Sequence, residues 1–366
     1  METRFLLLGA VALQMVGFGI ILPAMPFLLR ELGGDAAAQG LLVSLFSLMQ
    51  FVTAPLWGYV SDKIGRAPVV AAGLALGAAG QAVAYAAQSL AQLALGRALA
   101  GVGGGTLAAL QAWIADLTPS DRRASAIALF GIAFGVGFVA GPAIGGALGT
   151  LYPRLPFLAS AVLYALAGAA VARLPNSRPT RRQGFEIAVG LLAVPVLMLN
   201  LGMSMFEALL SYFSAFARGL TPFQIGLLFL ASGVAAGAAQ PVVRRLERSS
   251  SPGRNAPLGM AVMAAGLLLL SLASNSLAAL YLGAALVSLG GVVASSFIFA
   301  AASRRGAGVE LGALQSAGTL GRIAGPAIGG YLYTTISATA PFIASAAVVA
   351  ATAAFTSLLL SKVEVR

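Results

Sequence analysis

Long apolar runs, each ended by a few polar residues, succeed one another along the whole chain. Six can be read at residues 5–29, 37–60, 69–88, 90–115, 124–151 and 156–173. Six more follow at 187–216, 221–243, 257–275, 277–302, 309–334 and 338–361. A helix needs about 20 apolar residues to cross the hydrocarbon core of a bilayer, and most of these runs exceed that length. Tilted or protruding spans are therefore expected. The pattern predicts an all-α membrane protein with twelve transmembrane helices. The first run is interrupted by Pro23 and Pro26 and ends in Arg30, Glu31 and Asp35, which reads as a span and not as a cleavable signal peptide.

The runs repeat. Ala140-Gly-Pro-Ala-Ile-Gly-Gly146 recurs letter for letter at Ala324–Gly330, 184 residues later, in a chain of 366. Leu95-Gly96 with Gly103-Gly104 is echoed by Leu282-Gly283 with Gly290-Gly291. Six spans followed by six equivalent spans in the same orientation make two parallel six-helix repeats, related by an axis along the membrane normal. The expected division is an N-terminal bundle at 1–174, a polar, Arg-rich cytoplasmic linker at 175–186, and a C-terminal bundle at 187–366.

Composition agrees with the spans and removes several functions. Hydrophobic residues make up 59% of the chain and charged residues 9%, against about 25% charged in a soluble domain. The net charge of +11 would suggest nucleic acid in a soluble protein; here it follows from the distribution of Arg and Lys. Loops on one side hold seventeen basic residues and those on the other hold only Arg30, Arg154 and Arg218. The basic side is cytoplasmic by the positive-inside rule, so both termini are expected in the cytoplasm of a multi-pass protein, with no nucleic-acid partner. No phosphate-binding loop of the form G-x-x-x-x-G-K-[ST] occurs, which argues against ATP-driven transport by this chain alone. With no Cys and no His, disulfides, thiol chemistry and most zinc sites are absent, and no cofactor or metal is expected.

Four stretches carry chemistry or unusual packing. After the second span comes Gly58-Tyr-Val-Ser-Asp62-Lys63-Ile-Gly65-Arg66, which reads as a tight cytoplasmic turn bounded by glycines. It is either a solvated loop with positive-inside charges or an electrostatic latch. The fourth span carries Arg97, then Gly101, Gly103, Gly104 and Gly105. With no following Lys these glycines suit close helix packing and not a phosphate cradle. The fifth span has Gly137, Gly141, Gly145 and Gly149 at four-residue spacing, with Pro142. Such a stripe lets a neighbouring helix approach to backbone contact, and the eleventh span repeats it with Gly325, Pro326 and Gly329. The first span holds Gly19-Ile-Ile-Leu-Pro23-Ala-Met-Pro26.

Together these stretches resemble the major facilitator superfamily, and the fifth-span motif resembles its twelve-span drug:proton antiporter branch. The resemblance implies the major facilitator fold and covers the whole chain, with sharper motifs in the first half. It implies that Asp62, Lys63 and Arg66 pair with an acidic residue at the cytoplasmic end of span 4, a place that Asp116 occupies. It favours reading Gly137, Gly141, Pro142 and Gly145, with Gly325, Pro326 and Gly329, as a pivot between halves; packing alone is the other reading. It further implies that spans 1, 4, 7 and 10 line a central cavity. Phe18, Trp113, Met203, Phe206, Phe297 and Phe299 on those spans are then candidates for an adaptable binding surface, although such residues are more often core or lipid-facing.

Three ionisable residues lie deep in the spans: Arg97, Glu207 and Arg322. Such residues cost several kcal/mol in lipid and are functional candidates by default. At ~1.5 Å per residue, Arg97 and Glu207 sit roughly 9 and 10 Å outward of the middles of spans 4 and 7. Arg322 is near the midplane of span 11. Glu207 is the one acidic residue deep within a span, so it is the candidate proton-coupling carboxylate, with Arg97 or Arg322 as partner. A static ion pair that only neutralises charge is the alternative.

The expected function is proton-coupled export of amphipathic or hydrophobic small molecules by alternating access, in a bacterial inner membrane, by a monomer surrounded by lipid. An exporter or uncoupled facilitator of a small metabolite is the second reading. A membrane enzyme or non-transporting sensor is the remote one, since no paired intramembrane carboxylates, His cluster or Ser–Lys dyad supports catalysis.

Overall fold

The computed structural model describes residues 2–119, 122–177, 191–249, 252–272, 276–303 and 309–364. These residues form fourteen helices and no strand. The first span is split into α1 (Glu2–Gly19) and α2 (Met25–Glu31), and the fourth into α5 (Leu90–Gly104) and α6 (Leu107–Asp116). The other spans of the first half are α3 (Ala36–Ile64), α4 (Arg66–Ala86), α7 (Arg123–Leu151) and α8 (Leu155–Ala172). The second half is α9 (Ala193–Phe216), α10 (Pro222–Ser249), α11 (Pro252–Leu272), α12 (Leu277–Ser303), α13 (Val309–Thr335) and α14 (Ala340–Glu364). Fourteen helices thus make twelve spans. Among the described residues ten segments are long and apolar enough to cross a membrane, with α5 and α6 counting as one; Thr3–Gly19 is apolar but shorter, and α13, which carries Glu310 and Arg322, is not among the ten. Most of the predicted linker, including Arg178, Arg181 and Arg182, lies outside the described residues, as do Arg304 and Arg305.

Both breaks have local causes. Pro26 has no N–H to continue a helix and falls in the first turn of α2, where that donor is not needed. Between α5 and α6 the chain passes through Gly105 and Thr106. A Cβ on Gly105 would stand 2.5 Å from the Thr53 hydroxyl and 3.0 Å from the Trp57 ring. Carbonyls freed at a break inside a bilayer need other donors. Trp57 Nε1 donates to the carbonyl of Val102 at 2.7 Å, Gln50 Nε2 to Gly104 at 3.3 Å, and Thr106 Oγ1 to Gly103 at 2.7 Å.

The chain forms two compact units. Unit 1 comprises residues 1–34, 45–184 and 220–227, and unit 2 comprises 35–44, 185–219 and 228–366. In unit 1, α1 packs on α7 and α8, and α4 packs on α5 and α8. In unit 2, α9 packs on α13 and α14, and α11 packs on α12 and α14. Span for span these are the same pairings, so the repeat seen in the letters is also a repeat of packing. Glycines bring several of these pairs close. Gly80 and Gly96 bring α4 and α5 together, and Gly259 and Gly290 do the same for α11 and α12. The core of unit 1 gathers Leu7, Val11, Leu74, Leu110, Trp113 and Tyr164.

Candidate functional site

The charge cluster at the α3–α4 junction is built by one guanidinium. Helix α3 runs on to Ile64, so Gly58, Asp62 and Lys63 lie on its last turns and only Gly65 forms the turn. Gly65 has φ +102°, a conformation that side chains rarely adopt. Gly58 is helical, and a Cβ there would meet nothing within 4 Å, so it does not bound the turn as the sequence suggested. Arg66, the first residue of α4, is 7% exposed. Its Nη1 lies 3.2 Å from Asp62 Oδ1 and its Nε 3.1 Å from Asp116 Oδ2 at the end of α6. Nη1 also donates to Ser61 Oγ at 2.5 Å. Three helices therefore end on one buried cation. Lys63 points elsewhere, with its Nζ 4.3 Å from the centre of the Tyr59 ring.

The glycine stripes are packed within their own units. A Cβ on Gly137 would meet the carbonyl of Ala12 at 2.5 Å, and one on Gly141 that of Val16 at 2.7 Å. One on Gly145 would collide with the Ile20 backbone. Helix α7 thus lies backbone to backbone on α1. Gly325 faces the Leu201 carbonyl and the Ser204 hydroxyl, and Gly329 faces Met205 and Leu209, so α13 lies on α9 in the same way. The second glycine of each doublet has a different neighbour. A Cβ on Gly146 would meet the Pro222 carbonyl at 2.5 Å, and one on Gly226 the Pro142 carbonyl at 2.5 Å. In unit 2, Gly330 meets the Ala36 carbonyl at 2.5 Å, and Gly40 faces the carbonyl group of Pro326. Gly40 and Gly226 were not singled out from sequence, and Gly146 and Gly330 entered only as the last letters of the repeat, without these neighbours.

Of the three deep charges, Arg97 is 5% exposed and lies with its guanidinium carbon 4.6 Å from the centre of the Phe46 ring. It is within electrostatic reach of Tyr164, and its Nε has no hydrogen-bond partner among the described residues. Tyr164 is itself wedged between two glycines, Gly17 of α1 and Gly77 of α4, where any Cβ would press on its ring. Glu207 is half-buried and within electrostatic reach of Arg322, which is exposed on α13. No ion pair of 4.0 Å or less joins these two among the described residues. Next to Glu207, the buried Gln39 donates through Nε2 to the Ala208 carbonyl at 2.5 Å and to Ser211 Oγ at 2.9 Å. Gln39 and Tyr164 were not singled out from sequence.

The aromatic and thioether candidates separate by burial. Trp113, Phe206 and Phe297 are 0, 2 and 2% exposed and are packed inside their units. Phe18 is half-buried, with its ring centre 5.3 Å from that of Phe46 and 6.1 Å from that of Phe138. Met203 and Phe299 are half-buried, and a Cβ on Gly291 would stand 3.5 Å from the Met203 sulfur. Among the described residues, no group of three or more acidic side chains is placed to hold a metal.

Over 163 residues the chain is 42% identical to the class C tetracycline resistance protein of Escherichia coli, covering 44% of this chain and 41% of that protein. The chain therefore spans about two fifths of the length of that relative. It is 28% identical over 244 residues to the quinolone resistance protein NorA of Staphylococcus aureus, covering 63% of each. Its fold matches the crystal structure of the human organic anion transporter MFSD10 (TETRAN) with a TM-score of 0.71 at 22% identity, over 96% of this chain and 98% of that one. It matches a bacterial homologue of the lysosomal transporter Spinster with a TM-score of 0.79 at 13% identity, over 98% and 96%. The sequence profile of the Major Facilitator Superfamily matches twice, at residues 7–197 and again at 192–366, one match for each six-span repeat. This multi-pass membrane chain belongs to the Major Facilitator Superfamily.

Proposed function

We propose that the chain is a secondary active transporter that exports amphipathic or hydrophobic small molecules in exchange for protons, by alternating access. The observation that carries this reading is the pair of charged features that a passive scaffold does not need. One is Arg66 buried against Asp62 and Asp116 where three helices end. The other is Glu207 within reach of Arg322 inside the spans. Buried charge in a membrane is costly to keep and marks a moving or proton-handling part. The names of the relatives, resistance proteins for tetracycline and quinolones, support the substrate class.

In this reading Glu207, Arg322 and Arg97 handle the proton, and Asp62, Arg66 and Asp116, with Gly58, Lys63 and Gly65, form the cytoplasmic latch. Gly137, Gly141, Pro142, Gly145, Gly325, Pro326 and Gly329 keep the helices close enough to move as rigid bundles. Substrate meets Phe18, Met203 and Phe299, which the structure leaves partly open, more than the enclosed Trp113, Phe206 and Phe297. The protein sits in a bacterial inner membrane with both termini cytoplasmic, acts as a monomer, and performs no chemical conversion. The test is a panel of tetracyclines, quinolones, lipophilic cations and neutral antibiotics, applied to cells expressing the chain with and without a collapsed pH gradient. Tolerance that needs the gradient supports the reading. Equal sensitivity with and without the protein across the panel overturns it in favour of a metabolite carrier.

A further inference from the structure

The turn that carries the latch is capped by residues more than one hundred positions away. Asn176 Nδ2 donates to the Ile64 carbonyl at 2.8 Å, at the last residue of α3. The amide of Ala67 donates to Asn176 Oδ1 at 3.3 Å, and the amide of Arg66 to the Ser177 carbonyl at 2.9 Å, both in the first turn of α4. A helix leaves its first four amides and last four carbonyls without intrahelical partners. Here the start of the interdomain stretch, and not a local side chain, satisfies three of those groups; no side chain of the turn itself caps α4. Gly65 completes the fit, because a Cβ on it would collide with the Asn176 amide. The turn is shaped as a socket for this residue.

We propose that Asn176 and Ser177 form a strap that holds the latch turn closed, with Asn176 as a positioning residue for transport. The strap fixes the backbone of Arg66 from one side. From the other, the Arg66 side chain is held by Ser61, Asp62 and Asp116. Both anchors act on one residue, so the guanidinium reaches its two carboxylates only while the backbone beneath it is held. The segment that follows the strap leads from one six-span repeat to the next, so the strap also ties the latch to that connection.

The kinetic arm of the test rests on the transport reading above; a chemical arm does not. Asn176→Ala is expected to lower turnover about five- to tenfold through loss of two hydrogen bonds, with half-saturation unchanged because no cavity residue is touched. Asn176→Gln, which keeps the amide on a longer stem, should fall between and keeps the test readable if the alanine variant does not accumulate in the membrane. In combination with Asp62→Asn, Asn176→Ala should cause no further loss, since both act through Arg66. For the chemical arm, the chain has no cysteine and Ser61 is 0% exposed. A thiol introduced by Ser61→Cys should react with a maleimide severalfold faster when Asn176→Ala is also present. An unchanged labelling rate, or losses that add in the double variant, overturns the strap. If the wild type moves no compound, the transport reading fails while the labelling rates still decide whether the strap protects the latch.

Discussion

Arg66 keeps one carboxylate when the other is neutralised, so a change at either acid tests geometry more than folding. Asp62→Asn keeps the volume and removes the charge-assisted contact at 3.2 Å. We expect transport to fall by about tenfold or more, equivalent to ~1.4 kcal/mol on the rate-limiting step, with unchanged membrane accumulation. Uptake into inverted vesicles with quantified protein measures this, and undiminished uptake would reduce the cluster to a topology signal. The same chemistry predicts a comparable loss for Asp116→Asn. Spacing alone left Asp62 and Arg66 open as either a solvated loop or a latch, and the resemblance grouped them. Asp116 was found through the resemblance. Asn176 was not legible, because nothing near it in sequence points to a turn 110 residues earlier. Trp113, an aromatic on a helix that the resemblance places along the cavity, is enclosed in the core of unit 1, which its residue type alone does not reveal.

Helices show the same division between what period and composition reveal and what packing decides. Twelve apolar runs were visible because each must span the bilayer; that two of them break was not, since Gly-Gly-Gly before Thr106 is equally compatible with a continuous helix. The break between α5 and α6 holds because side chains of α3 take its carbonyls. Trp57→Phe removes the indole donor at 2.7 Å while keeping most of the ring. We expect a loss of about 1 kcal/mol, since the carbonyl keeps other possible donors. Thermal unfolding of the detergent-solubilised protein measures it, and a melting curve that matches the wild type would show that the break does not depend on Trp57. The fifth-span stripe was legible as a close approach, but not its partner. Gly141 meets Val16 and Gly19 of α1, so Gly141→Leu forces α7 and α1 apart inside one unit. Overpacking of this kind costs about 1–3 kcal/mol. A lowered melting temperature together with lost transport is therefore expected, and a variant with wild-type stability would place the stripe against lipid. Gly325→Leu, opposite Leu201 and Ser204, should behave alike in unit 2.

At the scale of the whole molecule, the repeat of Ala140–Gly146 at Ala324–Gly330 carried most of the architecture. The contacts bear it out: spans 1, 5 and 6 and spans 3, 4 and 6 pair as spans 7, 11 and 12 and spans 9, 10 and 12 do. What the letters did not show is that residues 35–44 and 220–227 group with the unit opposite to the rest of their helices. Long-range backbone contacts of Gly40 and Gly226 create that exchange, and a single glycine in an apolar run does not announce its neighbour. At this scale the proposed proton coupling is expected to rest on Glu207. Glu207 is within electrostatic reach of Arg322 on α13 without a close ion pair among the described residues. If substrate and proton compete for that carboxyl, export is driven by linkage between the two ligands.

The most direct measurement is uphill export in sealed proteoliposomes under an imposed pH gradient, comparing wild type with Glu207→Gln at equal protein density. The wild type is expected to concentrate a tetracycline-class or lipophilic cationic probe, unmodified, against its gradient. The glutamine variant is expected to lose that uphill movement while still exchanging probe downhill. Uphill transport by Glu207→Gln driven by the pH gradient alone would contradict the assignment of the coupling carboxylate.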